Sequence, residues 1–414
     1  MILVHEAGGL LDILRIRHGN NHILNSVFVW LAGPAAPPYV YRLLAVASGI
    51  GGLFAIARLA RRWGETEALV SVVLASTSFP VLMYFSEARG YAPAMFFGLA
   101  ALAILLEGDQ PSTGRIALFW LVSILGVLAH LTFVFVSGAL LTIRRPRYLA
   151  LHAVPLLFTG VWYLVFARGM EFNAHLEYRI ADVAAEVVSL LIGIPEHWPE
   201  LLLIGASLAI VAAGTFLLHR EGDPSWLFYP AVLLVMPLAV VLVTKPDFLY
   251  ARFFAPTFPF FSLLLAFLLG RLGRSLNVRW AVPALVVVLV LAQGGRVWAL
   301  LTVGRGQYSR ALARMSAETG PRRMTIGSDN DYRTHMILRF YVPRLRHPGG
   351  VTFVARPDWA TRPPEWLITQ TASFEKRPGP AIALPGGARY ALVEEYPYAG
   401  LSGWRWFVYR RIRV

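Results

Sequence analysis

Residues 67–106 read EALVSVVLASTSFPVLMYFSEARGYAPAMFFGLAALAILL. Two apolar runs flank one short polar knot, Ser86-Glu87-Ala88-Arg89-Gly90. A membrane span needs roughly 20 apolar residues, and fewer where the helix is short or broken, so each run is long enough to cross. The knot holds two charges and a glycine, which is turn chemistry. The stretch therefore predicts a helical hairpin, 67–84 and 91–106, with its charges at the membrane surface, because charge within a span is costly.

Outward from the hairpin the pattern repeats. Further apolar segments lie at 39–60, 115–130, 131–143, 148–167, 200–218, 226–243, 251–269 and 280–301, giving ten expected spans. The run 115–143 is too long for one helix, and His130 at its middle predicts two short passes that turn there. With 57% hydrophobic and 15% charged residues, the 414-residue chain is far more apolar than a soluble domain. It contains no cysteine, which excludes disulfides and thiolate metal sites.

Short cytoplasmic loops are enriched in arginine. Arg58, Arg61 and Arg62 fall in one loop, Arg144, Arg145 and Arg147 in a second, and Arg271, Arg274 and Arg279 in a third. Placing all three in the cytoplasm puts residue 1 and the tail outside, with 170–199 an outer loop whose apolar run 183–194 lies on or dips into the membrane surface. A chain that begins in the cytoplasm then needs one further helix upstream of Met1. Residues 1–38 read as a first outer loop with amphipathic helices, and 39–301 as the transmembrane bundle.

The tail, 302–414, has a different texture. β-prone runs at Met324–Gly327, Val351–Val354, Trp366–Thr369, Tyr390–Val393 and Trp404–Tyr409 alternate with proline and glycine breaks. This predicts a small extracytoplasmic α/β domain entered through a helix around 305–318. It holds 18 Lys and Arg against 8 Asp and Glu, a net of +10 out of +14 for the chain. Such a surface suits anionic lipid headgroups or an anionic substrate, or is simply solvated. No nucleic-acid partner is expected. Asp329 and Asp331 lack the glycine and distal glutamate of a calcium loop and read as turn residues.

Ionisable groups collect at the span ends assigned to the outside. His5, Glu6, Asp12 and His22 lie in the first loop, Glu87 and Arg89 in the hairpin, His130 at its turn, and Lys245, Asp247 and Arg252 in a late one. Glu6 is either a solvated acid or a general base for an acceptor hydroxyl. Glu87 and Arg89 are either an ion pair closing the hairpin or part of a site. Arg252 either anchors a helix end or grips a phosphate in planar fashion. His22 and His130 are either structural or, with Glu6 or Glu87, ligands to a divalent cation, the sole cofactor these groups would suit. They are too scattered for an argument from spacing.

Four places carry a resemblance. His5-Glu6-Ala7-Gly8 falls where an acidic pair would stand, and Asn21-His22-Ile23-Leu24-Asn25 where an outer-loop segment centres on His-Pro-Pro. Ser78-Phe79-Pro80 with Tyr84-Phe85-Ser86-Glu87-Ala88-Arg89-Gly90-Tyr91-Ala92 is similar to an "SP…YSQEARMYA" hairpin, and Ala251-Arg252-Phe253-Phe254-Ala255-Pro256 to a late "RYFLPALP" helix start. Together they resemble the GT-C class of membrane glycosyltransferases, in the branch of protein O-mannosyltransferases and lipid A aminoarabinose transferases. His5 replaces an expected aspartate, and Ile23-Leu24 replaces the Pro-Pro.

The resemblance implies a mainly α, GT-C-like polytopic bundle in a bacterial inner membrane. It implies an inverting transferase that takes a sugar from a polyprenyl-phosphate donor to a glycan, lipid or protein acceptor at the outer face. Glu6 is then the base, Arg89, Arg252 and Lys245 face the phosphate, and Glu87, His130, His22 and His5 support them or hold a metal. Two rivals are a transporter or lipid flippase, which would show repeats and mid-membrane polar breaks, and a non-catalytic scaffold displaying the tail.

Overall fold

A computed structural model describes residues 2–107, 112–143, 149–171, 178–195, 198–276, 278, 280–371, 377–384 and 386–412. Arg144, Arg145, Arg147 and Arg279, which entered the orientation argument, lie outside the described residues. The chain divides into two compact units, Leu3–Val297 and Trp298–Val414.

The first unit is helical. Among the described residues five helices are long and apolar enough to cross a membrane: Val40–Ala60, Leu151–Gly169, Glu200–Arg220, Ala251–Leu276 and Ala281–Thr302. The expected span 67–84 is two helices, Glu65–Thr77 and Phe79–Phe85, bent by 71°. Pro80 lies in the first turn of the second piece, where its ring fits, but its missing N–H prevents an unbroken ladder. Shorter apolar helices at Tyr91–Leu106, Thr113–Ala129, Leu131–Leu140 and Phe228–Thr244 cover the remaining expected segments.

Many large apolar side chains face outward, Leu201, Val165 and Val243 among them, and in Ala281–Thr302 only 6% of the apolar window is buried. An apolar surface of that extent is stable against lipid and not against water. The chain is an integral membrane protein.

The two ends of the bundle differ. At one end charges are paired: Arg58 meets Glu107 at 2.5 Å, Trp63 Nε1 donates to Asp223 at 2.8 Å, and Arg271 bonds Glu67 at 2.6 Å and also Glu221. Glu67 has no exposed surface and is also bonded by Arg274. Two guanidiniums offset part of the cost of burying its charge. The other end carries the first loop, the Ser86–Gly90 turn, His130 and the 245–252 turn. The expected surface segment is an amphipathic helix, Ile180–Ile192. Its last carbonyls are satisfied by Gln293, which reaches Leu190 and Leu191, and by Arg296, which reaches Ser189.

The second unit is an α/β domain with a six-stranded sheet. Its strands are β1 Met324–Ser328, β2 Val351–Phe353, β3 Trp366–Thr371, β4 Ala381–Ala383, β5 Arg389–Tyr396 and β6 Arg405–Arg411, in the order β2-β1-β3-β6-β5-β4. β1 is parallel to β2 and β3, and the other pairs are antiparallel. A parallel neighbour requires a crossover, here the helix Asp331–Leu345. Alternation sends Trp366, Ile368, Trp406 and Val408 to the face that packs on Ala311, Leu312 and Met315 of the helix Tyr308–Thr319. It sends Leu367, Phe407 and Tyr409 to the other face, with Trp359. Asp329 lies in the bend after β1 and accepts the Gln370 N–H at 2.8 Å, as expected of a turn residue, whereas Asp331 is not in a turn but is the first residue of the helix Asp331–Leu345, which Asn330 caps.

Candidate active site

The hairpin turn is the centre of the site. Gly90 begins the helix Tyr91–Leu106 and lies directly against the end of Thr113–Ala129: a Cβ there would be 1.7 Å from the Ala129 oxygen and 2.9 Å from His22 Cβ. Only glycine permits this approach, and it brings three distant segments together. Asn25 adds a bond from the first loop to the turn, Nδ2 to the Ala88 oxygen at 3.1 Å. Asn21 braces the loop itself through the Ile13 and Ile16 carbonyls and the Ser26 hydroxyl.

The result is a stack of rings. His22 and His130 stack at 4.5 Å between centroids, Tyr91 lies 4.2 Å from His130, and Tyr84 lies 4.3 Å from Tyr91. His130 follows the last residue of its helix in extended conformation, and its Nδ1 faces the Thr132 N–H at 3.2 Å and hydroxyl at 2.8 Å. Because a backbone N–H can only donate, Nδ1 is the acceptor and the neutral ring carries its proton on Nε2.

Two arginines serve this stack. Arg89 pairs with Glu87 at 3.5 Å, and the Glu87 side chain is only 1% exposed. Arg252 begins the Ala251–Leu276 segment, with its guanidinium 4.3 Å from the Tyr250 ring, and the positive fields of both arginines reach His22, His130, Tyr84 and Tyr91. Burial pushes the His22 pKa down to about 3, with Arg89 and Arg252 adding to the effect, so this first-loop histidine is neutral. Burial works against the Arg89 charge, but Glu87 with Tyr91 and Tyr84 more than offsets it and raises the pKa. With both histidines neutral, two guanidiniums face one carboxylate. Arg89 Nη1, Tyr84 Oη, His22 Nε2 and Asn25 Oδ1 are buried here with no hydrogen-bond partner among the described residues.

The structure thus brings Glu87, Arg89, His22, His130 and Arg252 into one cluster. Glu6 and Lys245 are exposed, Glu6 just beyond the short helix Ile2–His5, and Lys245 in a left-handed cap at φ 42°. The ring of His5 lies against Tyr41 at 5.6 Å. Among the described residues no three His, Asp or Glu side chains form a group able to hold a metal ion, so the donor set expected for a cation does not converge. Tyr84 and Tyr91 stand in the hairpin motif, yet sequence reasoning gave them no role. The ring of Tyr91 meets His22 from the first loop and His130, and Tyr84 meets Tyr91.

No protein-family profile matches the chain, and neither does any curated protein sequence. The crystal structure of ArnT from Cupriavidus metallidurans in the apo state superimposes with a TM-score of 0.52 at 14% identity, over 86% of this chain and 83% of that one. A second structure, ArnT from the same organism bound to undecaprenyl phosphate, gives a TM-score of 0.49 at 16% identity over 95% and 88%. At such identity the first match establishes architecture. The chain has an ArnT-like fold, the GT-C-like membrane bundle with a small C-terminal sheet that the hairpin motif led us to expect.

Proposed function

We propose that the protein is a glycosyltransferase that moves a sugar from a polyprenyl-phosphate carrier to an acceptor at the outer face of a bacterial inner membrane. The observation that carries this reading is the set of unpartnered buried polar atoms on Arg89, Tyr84 and His22, beside a second arginine and a single carboxylate. Buried polar groups are nearly always paired, so such a set calls for an anionic ligand with several acceptor oxygens. The ArnT-like fold supports the same class of reaction.

In the proposed reaction the acceptor hydroxyl gives its proton to the Glu6 carboxylate while its oxygen attacks the anomeric carbon. The bond from that carbon to the phosphate oxygen breaks, with inversion. A phosphodiester bearing one charge becomes a monoester bearing two, so negative charge grows where Arg89 and Arg252 stand, and fixed cations stabilise that change more than the ground state. Glu87 orients Arg89, the Nε2–H of His130 donates into the site, and exposed Lys245 attracts the phosphate on approach. Glu6 is accessible, as a base for an incoming acceptor must be.

Binding of polyprenyl phosphate to the purified protein in nanodiscs tests the phosphate assignment. Arg89→Ala and Arg252→Ala are each expected to weaken it about 10- to 100-fold, the worth of a charge-assisted bond. Wild-type affinity in both variants would overturn the reading.

A further inference from the structure

A phosphate leaves one atom of the site unsatisfied. The phosphodiester anion carries acceptor oxygens and no proton, so it suits the donors on Arg89, Tyr84 and His130. Asn25 Oδ1 is buried at the same turn with no hydrogen-bond partner among the described residues, and a carbonyl oxygen only accepts. Against the anion it would set oxygen on oxygen.

Chemistry fixes which way this amide points. The Ala88 carbonyl is also an acceptor, so Nδ2 faces it, at 3.1 Å, and Oδ1 is turned away from that bond. Ala88 stands between Glu87 and Arg89, which ties the amide to the turn carrying both charges. Asn25 is the third residue of the helix Ile23–Ala32 and His22 is its N-cap, a spacing that brings two side chains together at a helix start. Asn25 is only 7% exposed.

A residue that merely braced the loop would need no open oxygen. Asn21 shows the contrast, because both ends of its amide are used: Nδ2 reaches the Ile13 and Ile16 carbonyls at 2.8 and 2.9 Å, and Oδ1 accepts the Ser26 hydroxyl at 2.7 Å. Asn25 is half used. A buried acceptor left unpaired is costly, and one held rigidly at a candidate site calls for a donor brought by the ligand.

The sugar of a polyprenyl-phosphate carrier follows the phosphate by one bridging oxygen, so its hydroxyls enter beside whatever grips the phosphate. Each hydroxyl is a donor. We propose that Asn25 Oδ1 accepts a hydrogen bond from a hydroxyl of the transferred sugar and is a specificity-determining residue of the donor site. The substrate class is then a sugar with a free hydroxyl or amino group turned toward the first loop. A carboxylate at that place would again set oxygen on oxygen, and an O-methyl group would leave the amide unpaired. The inference rests on the phosphate reading of Arg89 and Arg252, and its test separates the two.

Full-length protein in nanodiscs is titrated with polyprenyl phosphate, with polyprenyl-phosphate glucose, mannose and galactose, and with monodeoxy analogues of the tightest hexose. The titrations are run at about pH 8, where a phosphate monoester, with its second pKa of about 6, holds almost no proton to donate. In wild type, removal of one hydroxyl is expected to weaken binding about tenfold, the worth of one buried hydrogen bond. In Asn25→Ala the intact hexose carrier should weaken about tenfold more than polyprenyl phosphate does, and that one deoxy analogue should lose nothing further. Asn25→Leu, which keeps the shape, should give the same pattern. Loss of the Nδ2 brace alone weakens every ligand equally, so it produces no such coupling. Equal weakening of polyprenyl phosphate and hexose carriers in both variants, or wild-type indifference to every deoxy position, would overturn the proposal and leave the phosphate site standing. Failure of wild-type protein to bind polyprenyl phosphate would overturn both.

Discussion

Gly90→Ala adds one methyl group at the point where three segments of the site meet. The new carbon would stand 1.7 Å from the Ala129 carbonyl oxygen and 2.8 Å from its carbon, and both are backbone atoms that no rotamer change can move. Reaching even 3.0 Å requires the turn and the helix end to part by about 1.3 Å, and overpacking of this kind costs ~1–3 kcal/mol. Arg89 lies on one side of the gap and His130 on the other. A misplacement of about 1 Å in a preorganised site costs on the order of 100-fold in rate. We therefore expect Gly90→Ala to lower sugar transfer about 100-fold in reconstituted protein, with a lower melting temperature. Gly160→Ala is the control, since a Cβ there meets nothing within 4 Å. Because Gly160 lies inside the helix Leu149–Val165, this change should leave transfer unaltered and should not lower the melting temperature. Transfer within twofold of wild type in Gly90→Ala would refute the claim that glycine sets the geometry of the site.

Other perturbations follow from the same structure. Folded His22 stays neutral down to about pH 3, whereas the unfolded chain takes up that proton below 6.5. Its contribution is thus fully present above 6.5 and is lost by about 1.4 kcal/mol per unit as pH falls toward 3. His22→Gln should flatten the melting temperature across that window, and an unchanged slope would count against the buried neutral ring. Arg252→Lys keeps the charge but loses the planar fork, so it should bind polyprenyl phosphate at least tenfold more weakly than wild type; equal affinity would reduce Arg252 to a point charge. Glu67→Gln removes the buried carboxylate but leaves Arg271 paired with Glu221 and Arg274 half-exposed, so it is expected to cost only about 1 kcal/mol. Thermal unfolding in detergent checks this, and an unchanged midpoint would show that the network contributes nothing net.

Much of the architecture was legible because a membrane imposes a strong rule on sequence. Hydrocarbon demands long apolar runs, and these were readable one by one, including the break at His130 that the structure places after Ala129. The bend at Ser78 was less so, since Pro80 is compatible with either a kink or a straight helix start. In the α/β domain the strands were visible in β-branched and aromatic runs, whereas the Asp331–Leu345 helix was not. Its exposed face is arginine and tyrosine rather than a simple polar stripe, and Pro343 blurs its end. The three-residue edge strand Ala381–Ala383 is too short to carry a pattern.

At the candidate site, residue types were readable and convergence was not. His22 and Arg252 are 230 positions apart, and nothing local in either segment says that they share a field. Asn21 and Asn25 looked equivalent to His22 in the sequence, yet their amides serve the backbone. Glu67 drew no notice at all, because its partners Arg271 and Arg274 lie more than 200 residues away.

The most direct test of the central claim is transfer itself. Purified protein in proteoliposomes is given polyprenyl-phosphate sugar and candidate acceptors, and the anomeric configuration of the product is read by NMR. The account predicts a glycosylated product of inverted configuration that disappears in Glu6→Gln and in Arg89→Ala/Arg252→Ala. Movement of the intact lipid-linked sugar across the bilayer without bond formation, or product formation undiminished in those variants, would contradict it.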